Sequence, residues 1–118
     1  MPITQRAGGT INIAASEIEI GSVEIEGAAA AAVTSVDDSS TAVTLVAANA
    51  ARKRITIFND STETLFIRKG SGTPTVTDYS EKILAQETWF EAAPATLLAI
   101  QGIWAANGSG AAKITDET

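Results

Sequence analysis

The stretch RKRITIFNDSTETLFIRK at residues 52–69 decides the fold class of this chain. On both sides of a polar cluster, apolar residues alternate with polar or aromatic ones. The apolar residues are Ile55, Ile57, Leu65 and Ile67. Alternation with a period of two is typical of a half-buried strand, and the cluster Asn59-Asp60-Ser61-Thr62 is rich in turn-forming residues. The stretch therefore predicts a β-hairpin, with strands at residues 53–58 and 64–69.

Similar short segments recur along the rest of the chain at intervals of about 8 to 12 residues. We expect further strands at residues 42–47, 79–84, 87–91, 97–104 and 112–115. The sequence also predicts pairing across Ala85-Gln86 and a second hairpin at residues 106–110. Strands at this spacing predict an all-β fold, either an antiparallel, jelly-roll-like β-sandwich or a small barrel. The predicted core includes Ile55, Ile57, Leu65, Ile67, Ile83, Leu84 and Ile103.

The start of the chain has a different composition, and we predict an extended N-terminal arm and linker at residues 1–32 and a sandwich body at residues 33–118. In EIEIGSVEIE, residues 17–26, apolar residues alternate with glutamates, and Gly21-Ser22 interrupts the alternation once. Two short strands with one apolar face are marginally stable in water unless another surface covers that face. We therefore expect the arm to pack against a neighbouring subunit or another protein. The predicted assembly interface consists of Ile18, Ile20, Val23 and Ile25.

The glutamates of the arm allow two interpretations. They are Glu17, Glu19, Glu24 and Glu26. Carboxylates suit calcium, but the segment lacks the Asp, Asn and Gly spacing of known calcium loops. We therefore predict no metal site and expect these side chains to face solvent or a basic partner surface.

The composition excludes several kinds of chemistry. The 118 residues contain no Cys and no His, which removes disulfides, thiolate nucleophiles, imidazole bases and the usual zinc and copper ligands. A net charge of −6 disfavours binding to phosphate backbones, so we expect no nucleic-acid partner. The basic triplet Arg52-Lys53-Arg54 is the local exception, and we predict that it forms a solvated strand edge.

The acidic residues supply no catalytic arrangement. Asp37 and Asp38 are adjacent, so their side chains would point to opposite sides of an extended chain, and turn formation explains them better. Glu87 and Glu91 would share one strand face about 13 Å apart, at about 3.3 Å per residue. Glycosidases place their two carboxylates about 5 to 9.5 Å apart. We therefore predict that the protein is not an enzyme and binds no cofactor.

The two tryptophans, Trp89 and Trp104, are predicted to pack in the core or in an interface, and a carbohydrate-stacking platform is the alternative. No apolar run reaches the roughly 18 to 20 residues of a membrane helix, and the start MPITQRAGG does not resemble a signal peptide. We expect no membrane partner, and synthesis in a cytoplasm.

The order of three segments resembles small structural proteins of tailed bacteriophages and prophages. The segments are RKRITIFNDSTETLFIRKGSG, YSEKILAQETWFE and GIWAANGSGAAKITD, and the resemblance covers roughly residues 41–118. It depends on a strand and turn of the form R-x-x-I-x-I-x-N-D-S, a G-I-W strand and a short final A-x-V/I-T strand. Each piece alone is common in β proteins, so the information lies in their order.

This resemblance implies a β-sandwich component of a virion, and first of all a capsid decoration or cement protein that stabilises the head shell. Head-fibre, tail and head-tail attachment components are the alternatives. The expected partners are the major capsid protein or other virion proteins, and the expected location is the virion of a phage assembled in a bacterial cytoplasm. A homo-oligomer is also expected, with a trimer favoured. A carbohydrate-binding module remains the rival from another class.

Overall fold

A computed structural model describes residues 27–118, which form eight β-strands joined by turns and loops. They are β1 (Ala31–Asp37), β2 (Val43–Val46), β3 (Arg54–Ser61), β4 (Leu65–Lys69), β5 (Glu81–Ile83), β6 (Thr88–Glu91), β7 (Ile100–Trp104) and β8 (Gly110–Glu117). The predictions for residues 1–26 lie outside the described residues. They include the assembly interface at Ile18, Ile20, Val23 and Ile25.

The strands form two antiparallel sheets that pack face to face. The first sheet has the order β1-β8-β3-β6, and the second has the order β2-β7-β4-β5. The predicted all-β sandwich is therefore confirmed, and this strand order is that of a jelly roll. β1 is a strand that the alternation does not predict, because small residues with weak strand preference dominate its start.

The central stretch at residues 52–69 is not a hairpin. β3 belongs to the first sheet and β4 to the second, so residues 62–64 carry the chain across the sandwich. The predicted pairing across Ala85-Gln86 and the predicted hairpin at residues 106–110 are wrong for the same reason. An apolar face fits equally well beside a neighbouring strand or opposite one across the core. Among the described strands, β4 and β5 are the only consecutive pair that share hydrogen bonds.

The polar cluster after Phe58 belongs mostly to β3 and not to a turn. Asn59, Asp60 and Ser61 continue the strand and pair with the start of β8. Ser61 Oγ donates a hydrogen bond to Asp38 Oδ2 at 2.6 Å. Polar side chains with local or cross-strand partners can therefore extend a strand through a segment whose composition favours a turn.

The core lies between the sheets and centres on Trp104, which is fully buried. The buried apolar cluster comprises Leu45, Ile55, Ile57, Leu65, Ile67, Ile83, Ala95, Ile100, Trp104, Ala112 and Ile114. Two members of the predicted core lie elsewhere. Leu84 is 45% exposed, just after β5, and Ile103 is half-buried on the outer face of the second sheet, opposite Phe66. Both errors come from the alternation itself: Leu84 follows the buried Ile83 and Ile103 precedes the buried Trp104, and only one of two adjacent strand residues can face inward.

Candidate functional surface

The outer face of the first sheet is the candidate functional surface, which we call the open face. Its central residues are Val33, Thr56, Phe58, Phe90, Lys113 and Thr115. The register places Val33 opposite Thr115, Thr115 opposite Thr56, and Thr56 opposite Phe90. These four residues therefore form one row across all four strands. Because Ile55 and Ile57 face the core, the intervening Thr56 and its row must face outward.

Two large apolar side chains of this row are exposed at its ends. Val33 on β1 is 71% exposed and Phe90 on β6 is 63% exposed. Phe58 is half-buried and lies opposite Thr88, one diagonal step from Phe90. Single exposed apolar residues are ordinary, but here Phe90, the half-buried Phe58 and Val33 lie on one ordered face, which makes it the candidate surface.

Charged residues flank the open face. Lys113 is exposed opposite Phe58, and its ammonium donates a hydrogen bond to Ser35 Oγ at 3.1 Å. At the other end of the sheet, Arg54 Nε lies 3.0 Å from Glu117 Oε1 in a partly exposed ion pair. The apolar patch is therefore framed by polar groups, as protein interfaces usually are.

The outer face of the second sheet is covered by its own chain. Phe66 is only 9% exposed because the Tyr79 ring packs on it, with ring centroids 4.9 Å apart. Arg68 Nη1 lies 2.8 Å from Asp78 Oδ2 in the same connection between β4 and β5. The Phe66 ring at the centre of this face is therefore covered by the chain itself.

Arg52 is part of the interior and not of a solvated edge, so the prediction for the basic triplet is wrong at this residue. Its side chain is fully buried. Arg52 Nε donates a hydrogen bond to Asp116 Oδ1 at 2.9 Å, and Arg52 Nη2 donates one to Asp116 Oδ2 at 3.1 Å. The remaining contacts are to three backbone carbonyls at 2.8 to 3.0 Å: Ala47, Thr96 and Leu98. All five N–H donors of the guanidinium thus have acceptors. The sequence shows three adjacent positive charges, but it does not show that the acceptors for the Arg52 guanidinium come from distant parts of the chain.

Asp116 is held in its charged form by this arrangement. Burial alone raises the pKa of the Asp116 carboxyl, but the hydrogen bonds from Arg52 and Asn49 and the positive charge of Arg52 outweigh it. The net result is a pKa below the ordinary value of 3.8. Asp116 lies on β8, whereas Ala47 follows β2, so the ion pair and the carbonyl contacts connect the two sheets. Their role is structural.

A second buried polar group lies at the other end of β3. Asn59 is fully buried, and its Oδ1 accepts a hydrogen bond from Trp104 Nε1 at 3.0 Å. Its Nδ2 donates to the Glu63 and Ile83 carbonyls at 2.8 and 3.0 Å. Every polar hydrogen of this amide is satisfied, which is why it can be buried.

The two tryptophans pack toward the interior of the sandwich. Trp104 is fully buried, and Trp89 is half-buried against the core with Lys69 Nζ 5.7 Å from its ring centroid. The predicted packing role is therefore confirmed for both, and the exposed aromatic residue is Phe90. Strand alternation contains a signal for this, since only one of two adjacent strand residues can face inward.

The remaining candidate carboxylates also have partners. Glu91 forms an ion pair with Lys69 across the sandwich, and its Oε1 accepts a hydrogen bond from Thr96 N at 2.9 Å. Burial raises the pKa of Glu91, but Lys69, Thr96 and the charge of Arg52 lower it below the ordinary 4.5. Glu87 Oε1 instead accepts from Leu84 N at 3.1 Å. The two glutamates are thus engaged separately.

Within residues 27–118, no group of three or more His, Cys, Asp and Glu is placed to hold a metal ion. The same residues contain no helix of sufficient length and apolarity to cross a membrane. Comparisons of the chain with protein-family models, curated proteins and solved structures find no match.

Proposed function

We propose that this protein is a structural component of a bacteriophage virion, and specifically a capsid decoration protein that binds and stabilises the head shell. The resemblance of three ordered segments to phage structural proteins supports the class of assembly. The jelly roll is compatible with this role, because the fold occurs in viral capsid domains, but it also occurs in lectins and enzymes. The open face is therefore the feature that supports decoration specifically.

The single observation that supports a binding role best is the exposed row on the first sheet. Val33 and Phe90 are both more than three-fifths exposed, on strands that are hydrogen-bonded into the first sheet. Residues held by a sheet lose little conformational freedom when a partner covers them, so more of the contact energy remains as affinity. Aromatic residues are also enriched at the centres of protein interfaces.

The open face suits attachment to a repeating shell. A modest contact becomes strong when many copies bind neighbouring sites and also bind one another, because the second contact then occurs at high effective concentration. The acidic arm at residues 17–26 would supply the contact between neighbours, and the open face would supply the contact with the major capsid protein. This division is part of the proposal. It requires no reaction and no cofactor.

Head-fibre, tail and head-tail attachment proteins would use the same kind of surface, and they remain the alternatives within the proposal. The carbohydrate-binding alternative has less support, because the two tryptophans named for it pack inward. The exposed Phe90 has no second aromatic ring of similar exposure beside it among the described residues, since Phe58 is half-buried.

The proposal is tested on virions of the phage that encodes the chain. Quantitative mass spectrometry should find the protein in many copies per particle, and cryo-electron microscopy should locate it on the outer head surface. Heads assembled without it should regain it from solution, and a Phe90→Ser variant should bind them more weakly. Absence of the protein from purified virions would refute the proposal, and density confined to a fibre or tail would replace decoration with the corresponding alternative.

A further inference from the structure

The four outer strands of the described sandwich differ in how well they could accept another strand. β2 has four residues and a shifted register against β7, β5 has three residues of which two are charged, and β6 has four. Short, charged or irregular outer strands discourage pairing with other chains. β1 instead has seven residues, an unbroken register with β8 and a single charge at its end, Asp37.

The hydrogen bonds at both ends of β1 show which backbone groups point to its free edge. Ala30 and Thr118 exchange two backbone hydrogen bonds, and Asp38 N donates to the Gly110 carbonyl at 3.1 Å. Because antiparallel pairing alternates, the even-numbered residues of β1 bond to β8. The outward backbone groups belong to the odd-numbered residues: Ala31, Val33, Ser35 and Asp37.

The side chains of β1 leave space for another strand. Only Val36 is half-buried against the core, whereas Ala32 and Thr34 on the same side are exposed. On the open face, the Lys113 ammonium extends across to Ser35 Oγ at 3.1 Å, which places a positive charge near the free edge. The edge therefore offers backbone donors and acceptors together with one cation.

We propose that the free edge of β1 accepts residues 17–26 of a second copy as an additional strand. This inference deepens the proposed function, and it rests on that function for its biological purpose but not for its geometry. The segment EIEIGSVEIE has β-branched residues at alternate positions on each side of Gly21-Ser22, which suits strand addition. It carries four glutamates and no basic residue, so one of its faces can place a carboxylate beside Lys113.

The start of the described chain favours a second copy over the same chain as the source of this strand. Ala29 N and Ala30 N both donate to the Thr118 carbonyl, at 2.7 and 3.1 Å. These bonds hold the chain on the β8 side of β1, away from the free edge, as it enters the strand. A fold-back of residues 17–26 onto β1 of the same chain would need a hairpin turn at residues 27–28, immediately before these bonds. We commit to exchange between copies because a homo-oligomer is expected, and the crosslinking test below separates the two routes.

The absence of cysteine from the chain permits a direct crosslinking test with the full-length protein. One copy carries Ser22→Cys, and a second, isotopically labelled copy carries Ser35→Cys. The two copies are mixed and treated with a flexible bismaleimide. The crosslinker is shorter than the distance between the two outer strands of the first sheet, which are three strand spacings or about 14 Å apart. Mass spectrometry should detect a crosslink between labelled and unlabelled chains.

Thr88→Cys provides the matched control, since Thr88 is exposed on β6 at the opposite edge of the same sheet. The mixture with Thr88→Cys should give no comparable product. A double variant, Ser22→Cys with Ser35→Cys, is run beside the mixtures. A crosslink only within single chains of the double variant, no crosslink in either sample, or equal products from the β6 control would each overturn the proposal.

A second pair of variants tests the edge itself. Ser35→Pro removes a backbone donor that points to the free edge and not to β8, so the sandwich should stay folded while the oligomer dissociates. Ser35→Ala keeps the donor and loses only the hydroxyl, and it should assemble like the original protein. Sedimentation velocity and circular dichroism measure the two properties. A folded Ser35→Pro variant that still assembles normally would contradict strand addition.

These experiments use the purified protein without phage particles, so their failure is distinct from failure of the proposed function. A protein that decorates heads but shows no exchange at β1 keeps the function and loses this inference. A protein that exchanges strands but is absent from virions keeps the inference and loses the function.

Discussion

The two outer faces of the sandwich differ although both sheets have four strands and the same alternation. On the second sheet, Tyr79 covers Phe66, and Arg68 pairs with Asp78, because the connection between β4 and β5 returns over its own sheet. On the first sheet, Phe90 and Val33 stay exposed. The long connection between the paired strands β4 and β5 therefore covers part of the outer face of the second sheet. The first sheet has no such connection among the described residues, and its outer face stays exposed.

We infer that the exposed side chains of the first sheet serve binding and not folding. Phe66 and Phe90 are chemically identical and lie on opposite outer faces, at 9% and 63% exposure. The first should contribute to stability and the second to assembly.

The largest expected effect concerns Arg52, which joins the sheets. Arg52→Ala leaves Asp116 without its buried partner and leaves three carbonyls without their donors. Breaking a buried pair by removing one partner costs about 3 to 5 kcal/mol. Urea denaturation monitored by tryptophan fluorescence should show this loss. Lys53→Ala is the neighbouring control and should cost much less, since Lys53 is only half-buried. Equal losses would contradict the structural role of Arg52.

The next effect concerns the covered face. Phe66→Ala should lower the free energy of unfolding by about 3 kcal/mol, the lower end of the usual range, because Phe66 packs on an outer face and not between the sheets. Tyr79→Ala should have part of this effect, since it uncovers the same ring. Thermal denaturation measures both changes. A Phe66→Ala protein as stable as the original would show that the covering connection contributes nothing.

The sequence predicts which residues face inward better than it predicts which strands are neighbours. Ile55 and Ile57 are fully buried as expected, because alternation depends only on having a core on one side. The hairpin prediction at residues 52–69 is wrong, because crossing the sandwich produces the same alternation as turning back. Partner choice depends on residues distant in the chain, such as the pairing of β3 with β8. That information is absent from a local pattern.

Residue type also misleads where burial and partners decide the role. Asn59 belongs to a composition typical of turns, yet its amide is fully satisfied in the core. Arg52 belongs to a basic triplet, yet it is buried. The open face was accessible to prediction only in part. Phe58 can be assigned outward from the phase of Ile55 and Ile57, but the exposure of Val33 depends on β1 being an outer strand.

A moderate effect should appear at low pH, again between the sheets. The pKa values of Asp116 and Glu91 in the folded protein lie below their ordinary values of 3.8 and 4.5. Groups with lowered pKa bind protons more tightly when the chain is unfolded, so their stabilisation is present above those ordinary values and is lost as the pH falls below them. Urea midpoints between pH 7 and pH 3 should fall accordingly. Glu91→Gln should flatten the part of the curve that begins near 4.5, and an unchanged curve would contradict the assignment.

The smallest effect on stability should come from Phe90, which makes it the sharpest test of the difference between the faces. Phe90→Ala removes a ring that is mostly in water, so the free energy of unfolding should change by no more than about 0.5 kcal/mol. Binding to undecorated heads should nevertheless weaken, because aromatic anchors often contribute most of an interface's affinity. Phe66→Ala is the matched variant, and the opposite result is expected for it. Its free energy of unfolding should fall, whereas its binding to heads should not change, because the open face is unaltered. If Phe90→Ala destabilises the protein as much as Phe66→Ala does, Phe90 belongs to the packing of the sandwich. The contrast between the faces would then have no bearing on assembly. If Phe90→Ala changes neither stability nor head binding, the contact with the shell must lie elsewhere.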